Sequence, residues 1–294
     1  MDFNEFPAMS RADLAALRRS IDGAFRDFTR ASGDTLETFF APLLHFLVWF
    51  ERLLLNTPWP IILLVIGGLT WAGSRSWRLT FGAVAAFVAI GYFGMWRDTM
   101  STLAIISVAT LLCIAIGIPL GIVMARSDRM QSLVTPVLDV MQTIPSFVYL
   151  IPVVMLLGIG KVPGLIAVCI YAIPPIVRLT NLGIRLVDRD VLEAAEAFGA
   201  SPRQKLWRVQ VPLALPNIFA GVNQTIMMAL AMVVIASMIG VQGLGVPVLR
   251  AISNQYLALG VMNGLAIVAL AIIFDRVSQS YGQRLQAHRK GHGQ

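Results

Sequence analysis

The sequence predicts an all-α, polytopic membrane protein, and three observations carry that expectation. Of 294 residues, 57% are hydrophobic and only 13% charged, with a mean hydropathy of +0.74; an average soluble domain is roughly 45–50% apolar and about 25% charged. That composition excludes a water-soluble globule, and it excludes disorder because the chain has too much apolar surface to leave unburied. Next, runs that satisfy the ~20 residues needed to cross ~30 Å of hydrocarbon recur at 57–74, 79–96, 99–125, 132–158, 162–184, 213–239 and 257–275. Seven spans are expected, or eight if the interrupted stretch 39–56 also crosses. Finally, fourteen lysines and arginines fall on one side of these spans and three, Arg97, Lys161 and Arg250, on the other. Basic loops stay cytoplasmic, so the 178–208 segment and the C-terminal tail are inside.

Taken in order, residues 1–56 read as an N-terminal extension. Asp2, Glu5, Asp13 and several arginines occupy the first 20 residues, and no apolar core or small-residue cleavage site marks a leader. Over 10–31, Leu14, Leu17, Ile21, Phe25 and Phe28 recur at three- and four-residue steps with Arg18, Arg19, Asp22, Arg26 and Asp27 between them, the pattern of an amphipathic helix. Ser10 with Asp13 resembles its capping box. Such a helix suits the membrane interface or a partner. In 39–56 the apolar run is broken by Pro42, His45, Glu51 and Arg52, so it is expected at the interface, leaving the N-terminus outside; if it spans, the N-terminus is inside. Residues 57–98 then give two peripheral spans, 99–280 a membrane core, and 281–294 a cytoplasmic tail.

Charge and motif content narrow the chemistry. The net charge is +7, yet no basic stripe with interleaved aromatics points to nucleic acid. Cys113 and Cys169 both lie in apolar runs and read as packing residues, with no metal site implied. The histidines, His45, His288 and His292, are peripheral, and neither a His-Glu-x-x-His nor a Gly-x-Ser-x-Gly motif is present. A phosphate-binding G-x-x-x-x-G-K-[ST] loop is also missing: Gly160-Lys161 is followed by Val162, and Met155 stands where its first glycine belongs.

The segment 186–212, LVDRDVLEAAEAFGASPRQKLWRVQVP, is too polar for the bilayer. Val191 to Phe198 are good helix formers behind Asp188 and Asp190, and Gly199 stands where a left-handed stop belongs. Ser201-Pro202 reads as a fresh helix start, serine capping and proline first. Two short helices about a glycine elbow would form a cytoplasmic knob, with Leu206, Trp207 and Val209 as an apolar surface for a partner's socket. Glu193-Ala194-Ala195, then Gly199, then Val209-Gln210-Val211-Pro212 resembles the EAA loop of bacterial ABC importer permeases, whose pattern is EAA, three residues, Gly, nine residues, Ile-x-Leu-Pro. Val209 and Val211 replace the isoleucine and leucine. The stretches 141–160, 172–184, 198–218 and 220–240 resemble the glycine betaine/proline/choline branch of that family, and the likeness covers roughly 99–280.

That resemblance implies a permease subunit in the bacterial inner membrane that works as a homodimer. Each copy would couple through the EAA loop to a cytoplasmic ATPase dimer that uses ATP and Mg, and an extracytoplasmic binding protein would deliver the solute. It assigns ATPase contact to Glu193, close approach to Ala194 and Ala195, and the elbow and its register to Gly199 and Pro212. No cofactor is expected on this chain and no catalytic residue. The cargo implied is glycine betaine, proline betaine or choline; another small solute such as an amino acid is the alternative within the class, and an ion-coupled carrier the alternative outside it.

Polar groups inside spans are costly and tend to face the protein interior. Gln142, Thr143, Pro145 and Tyr149 in the fourth span, with Pro152 as a second expected kink, are candidates for the pathway or for a packing kink, and Asn223 and Gln224 beside Thr225 in the sixth for the pathway or for hydrogen bonds that hold the bundle. Pro174-Pro175 would kink the fifth span. Asp139 is expected to pair with Arg178 near the cytoplasmic side rather than to touch solute. For quaternary ammonium, Phe147, Tyr149 and Tyr171 offer aromatic faces.

Overall fold

The structure, a computed structural model, describes residues 8–290, and the side chains of 34, 37 and 283–290 lie outside that description. Asp2, Glu5 and His292, and the side chains of Arg284, His288, Arg289 and Lys290, which entered the readings above, therefore lie outside the described residues. Every regular element described is helical. The long helices are α1 (Arg11–Asn56), α4 (Trp96–Arg126), α7 (Lys161–Arg185), α10 (Val211–Ala236) and α12 (Leu257–Lys290). Between them lie α2 (Trp59–Ser74), α3 (Trp77–Tyr92), α5 (Asp128–Thr143), α6 (Leu150–Leu157), α8 (Arg189–Ala197), α9 (Pro202–Lys205) and α11 (Gly245–Asn254).

Five helical stretches are long and apolar enough to cross a membrane, and the bent pair α5–α6 makes a sixth; α2 and α3, at 16 residues each, are shorter apolar helices. Two expectations change here. Residues 39–56, expected at the interface, belong to α1, whose stretch Thr38–Asn56 passes that test and packs on α4, α6 and α7. Pro42 sits inside the helix without ending it. The run 132–158 is not one straight span: it bends by 109° between Thr143 and Ser146. Ile144 is extended, φ −66 and ψ 130, as a residue ahead of proline prefers, and Pro145 then opens a short 3₁₀ turn. Pro152 lies in α6 just behind the 3₁₀ turn and does not end the helix, which continues to Leu157, and α7 runs on through Pro174 and Pro175 as a single helix.

The core is α7 packed against α10 and α4. Glycines allow the close approach. A Cβ on Gly121 would lie 2.8 Å from the Val177 carbonyl and 2.6 Å from Thr180 Cβ, and one on Gly117 would lie 2.4 Å from Ile176 Cγ2. The two form a Gly-x-x-x-Gly face on α4 turned to α7, the packing by which membrane helices associate where lipid is as apolar as the partner. Gly183 and Gly221 make the same fit between α7 and α10. Cys113 and Cys169 lie in this seam as free thiols, each donating to a carbonyl of the facing helix.

Glu51, near the end of α1, fixes which way that helix runs. Its carboxylate accepts from Ser101 Oγ at 2.9 Å and pairs with Lys161. Ser101 and Lys161 stand at the starts of α4 and α7, the ends remote from Arg126 and Arg185. The C-terminal end of α1 therefore lies with those starts.

Candidate functional site

The segment 186–212 folds as a projection whose local chemistry is visible residue by residue. Asp188 caps α8 by accepting from the Asp190 N–H at 3.0 Å. Gly199, at φ +76, ends it: the Ala200 N–H donates to Ala195 O at 3.0 Å and the Gly199 N–H to Glu196 O at 2.8 Å, the paired bonds of a Schellman close. Ser201 then starts α9 with a full capping box, Gln204 N–H to Ser201 Oγ and Ser201 N–H to Gln204 Oε1, with Pro202 first in the helix. Lys205 pairs with Glu196 across the elbow.

The second short helix is not free-standing. Pro202 to Ile239 forms one helical run of 38 residues, and α9 enters α10 through a π-turn over Leu206–Gln210. Pro212 explains the turn. Proline has no N–H for the carbonyl four residues back, and its ring crowds that carbonyl; the helix widens just ahead of it, and the Val211 N–H reaches Leu206 O instead. The extra residue rotates the faces. Leu206, expected on the apolar surface, is buried against Ile122, Ile184, Ala214 and Ile218, and Val209 is half-buried. The exposed apolar groups include Trp207, 56% exposed, and Phe198, 93% exposed, with Leu186 and Val191 also exposed. Phe198 was not singled out from the sequence, although a phenylalanine at a helix end in a polar loop was its signal. Glu193 and Ala194 are exposed on α8, with Ala195 and Pro212 half-buried.

Below the projection, Arg185 anchors the base: it donates to Met124 O at 2.9 Å, to Asn181 Oδ1 at 3.1 Å, and pairs with Asp128 at 2.7 Å. Further in, Arg178 on α7 donates to the Asp139 carboxylate on α5. At the bend, Gln142, Thr143 and Pro145 are exposed, and the buried Tyr149 donates to Met141 O, tying the two arms together. Asn223 and Gln224 stand elsewhere. They line an open groove of about 380 Å³ between α10 and α12, with Phe219, Ser278 and Gln279. Asn223 Nδ2 donates to Asp275 Oδ1 at 2.6 Å, and Gln279 Nε2 donates to the same oxygen at 2.7 Å. No hydrogen bond joins this group to the residues at the bend among those described. Thr225 donates to Ala172 O at 3.0 Å and so holds α10 to α7. Asp275 was missed because it falls where the last apolar run ends; a carboxylate on the same helix as that run was its signal. No cluster of metal-ligating side chains occurs among the described residues.

Apolar helices around a glycine-packed core, with a capped projection inserted between two of them, define a class, the helical membrane permease. Residues 117–287 match the family described as binding-protein-dependent transport system inner membrane component, more than half of the chain, and the chain belongs to that family. It is thus an inner-membrane transport component and not an enzyme, as the sequence implied. The glycine betaine/proline betaine transport system permease protein ProW of Escherichia coli is 50% identical over 82% of this chain and 68% of its own length. Its Salmonella typhimurium counterpart is 56% identical over 67% of this chain, which spans only 56% of that relative. The glycine betaine/carnitine permease GbuB of Listeria monocytogenes is 47% identical over 78% of this chain and 82% of its own length. Among solved structures, an inward-facing MetNI methionine ABC transporter aligns with a TM-score of 0.58 at 19% identity, over 63% of this chain and 93% of that one, a likeness of fold.

Proposed function

We propose that this chain is the pathway-forming subunit of an ATP-driven importer for quaternary ammonium osmolytes: glycine betaine, proline betaine or choline. Two copies pair to enclose the pathway. A separate ATPase dimer, using ATP and Mg, grips the 186–212 projections from the cytoplasm, and an extracytoplasmic binding protein delivers the solute. The division is residues 1–56 as an extension whose basic start is cytoplasmic, 57–98 as peripheral helices, 99–280 as the core and 281–294 as a tail.

The observation that carries this is the projection itself. Glu193 and Ala194 on α8 and Phe198 at its end stand exposed, with no ring partner for the phenylalanine among the described residues. The elbow at Gly199 and the box at Ser201 join α8 to the helix that becomes α10. Nucleotide-driven closure of the ATPase dimer biases a two-state membrane element through that contact. Asp139 and Arg178 act as a structural pair joining α5 to α7, and the bend residues Gln142, Thr143, Pro145 and Tyr149, with Asn223 and Gln224, border the pathway. Reconstitution tests the reading: vesicles holding this chain with its ATPase, supplied with binding protein and internal ATP, are expected to accumulate radiolabelled glycine betaine. Accumulation by this chain alone, or none with all components active in ATP hydrolysis, overturns it.

A further inference from the structure

At the end opposite the projection, the turn ahead of α4, the loop after α10, helix α11 and the first turns of α12 enclose a groove of about 350 Å³. Its volume is at the small end of ligand sites, which run about 300–1,000 Å³. Four polar side chains line it, Asp98, Gln242, Arg250 and Asn263. Asp98, in the first turn of α4, is half-buried. Arg250, on α11, is exposed and is the cation whose field acts most strongly on Asp98, yet no salt bridge joins them among the described residues. Asn263, on α12, is 3% exposed; its Nδ2 donates to Leu259 O at 2.9 Å, and its Oδ1 is buried without a donor. Phe93 and Met262 supply apolar wall.

A carboxylate and a guanidinium that share a cleft without meeting leave room between them for a ligand carrying both opposite charges. We propose that this groove is an outer recognition site for a small zwitterion with a methylated ammonium. Arg250 takes the ligand's carboxylate in a charge-assisted pair. Asp98 faces the cationic end, with the dipole of the buried Asn263 amide behind the wall, and that end, which has no N–H to donate, is held by charge and dipole. The ligand's methyl groups lie against Phe93 and Met262, an aromatic face and a polarisable thioether suited to such a cation. The inference rests on the importer reading above and names the residues the cargo meets first. It also sets an order among cargoes: glycine betaine engages both ends of the groove, whereas choline, lacking the carboxylate, engages only the Asp98 end.

The test is ligand-observed saturation-transfer NMR on the full chain in lipid nanodiscs, with empty nanodiscs subtracted, titrating glycine betaine and choline. Betaine is expected to saturate at millimolar concentration and to bind about tenfold more tightly than choline, the effect of one charge-assisted bond. Arg250→Gln, at an exposed position, should abolish that preference, and Asp98→Asn should weaken both ligands about tenfold. Equal binding of the two ligands to the unsubstituted chain overturns the proposal without any variant, as does a wild-type titration in both variants. Vesicles that import betaine on ATP while the nanodisc titration shows no saturable site remove the groove and leave the importer reading standing; absence of import with a saturable, carboxylate-dependent site does the reverse.

Discussion

The elbow at Gly199 offers the sharpest separation of backbone from side-chain effects. A Cβ built there meets no atom within 4 Å, while φ stands at +76, so a substitution is penalised by conformation alone. For an L residue the left-handed region costs roughly 1–2 kcal/mol, more for a β-branched one, and asparagine visits it readily. One to two kcal/mol corresponds to about a 5–30-fold loss of the formed elbow. Gly199→Val should therefore insert in the membrane and unfold thermally like the parent, because the elbow is exposed and outside the core, yet lose most of its ATP-driven uptake while the ATPase still turns over. Gly199→Asn should keep most of the uptake. The assay is betaine accumulation per ATP hydrolysed in vesicles holding the permease, ATPase and binding protein. Parental uptake in the valine variant refutes the reasoning. So does equal loss in both variants, since bulk against a partner, not φ, would then be the cause.

Three further outcomes follow from the packing. Glu51→Ala should lower thermal stability by about 2 kcal/mol, under the 3–5 kcal/mol for breaking a fully buried pair because the Lys161 side chain is 32% exposed; adding Lys161→Ala should cost little more in a double-mutant cycle of melting temperatures. Gly121→Ala should destabilise the core by about 1–3 kcal/mol, since its methyl meets a backbone carbonyl at 2.8 Å, while Gly68→Ala on α2, with nothing within 4 Å, should be neutral or slightly stabilising; equal melting temperatures for the two variants would count against the close approach. Asp139→Asn and Arg178→Gln should each reduce uptake and the swapped pair should restore it, with a stability change within about 1 kcal/mol because both side chains are partly exposed; normal transport in all three would dismiss the pairing.

Local chemistry was legible, whereas the partners of Glu51 were not. Gly199 and Ser201-Pro202 announce an ending and a beginning because a left-handed stop, a hydroxyl cap and a pre-set proline φ act within five residues. Glu51 misled because a hydropathy window treats each charge as if it faced lipid or water, whereas this one meets Lys161, 110 residues away, and Ser101. The bend at Pro145 was foreseen as a kink, but length and hydropathy are the same for a straight span and for one folded through 109°. Leu206 was assigned to the wrong face for a geometric reason: reading sides from a sequence assumes 3.6 residues per turn, and one added residue in the π-turn rotates all that precedes it by about 100° relative to α10.

On the proposed mechanism α10 acts as a lever, and a lever must be stiff where it carries load. The run Pro202–Ile239 is about 57 Å long at 1.5 Å per residue, enough to join the projection to the far end of the core. It is held against α7 at both ends: inside, a Cβ on Gly183 would lie 2.7 Å from Asn217 Cβ, and outside, the Gly160 N–H donates to Ile239 O at 2.9 Å while Gly164 lies hard against Val241. Close-packed interfaces of this kind repack between discrete arrangements rather than deform continuously. In that mechanism, a displacement delivered at α8 passes the Gly199 elbow and reaches the π-turn over Leu206–Gln210, where Leu206 is buried among residues of α4, α7 and α10. On the proposed mechanism, α7 and α10 move as one body, and the loop that ends α10 and carries Gln242 moves the wall of the outer groove with them.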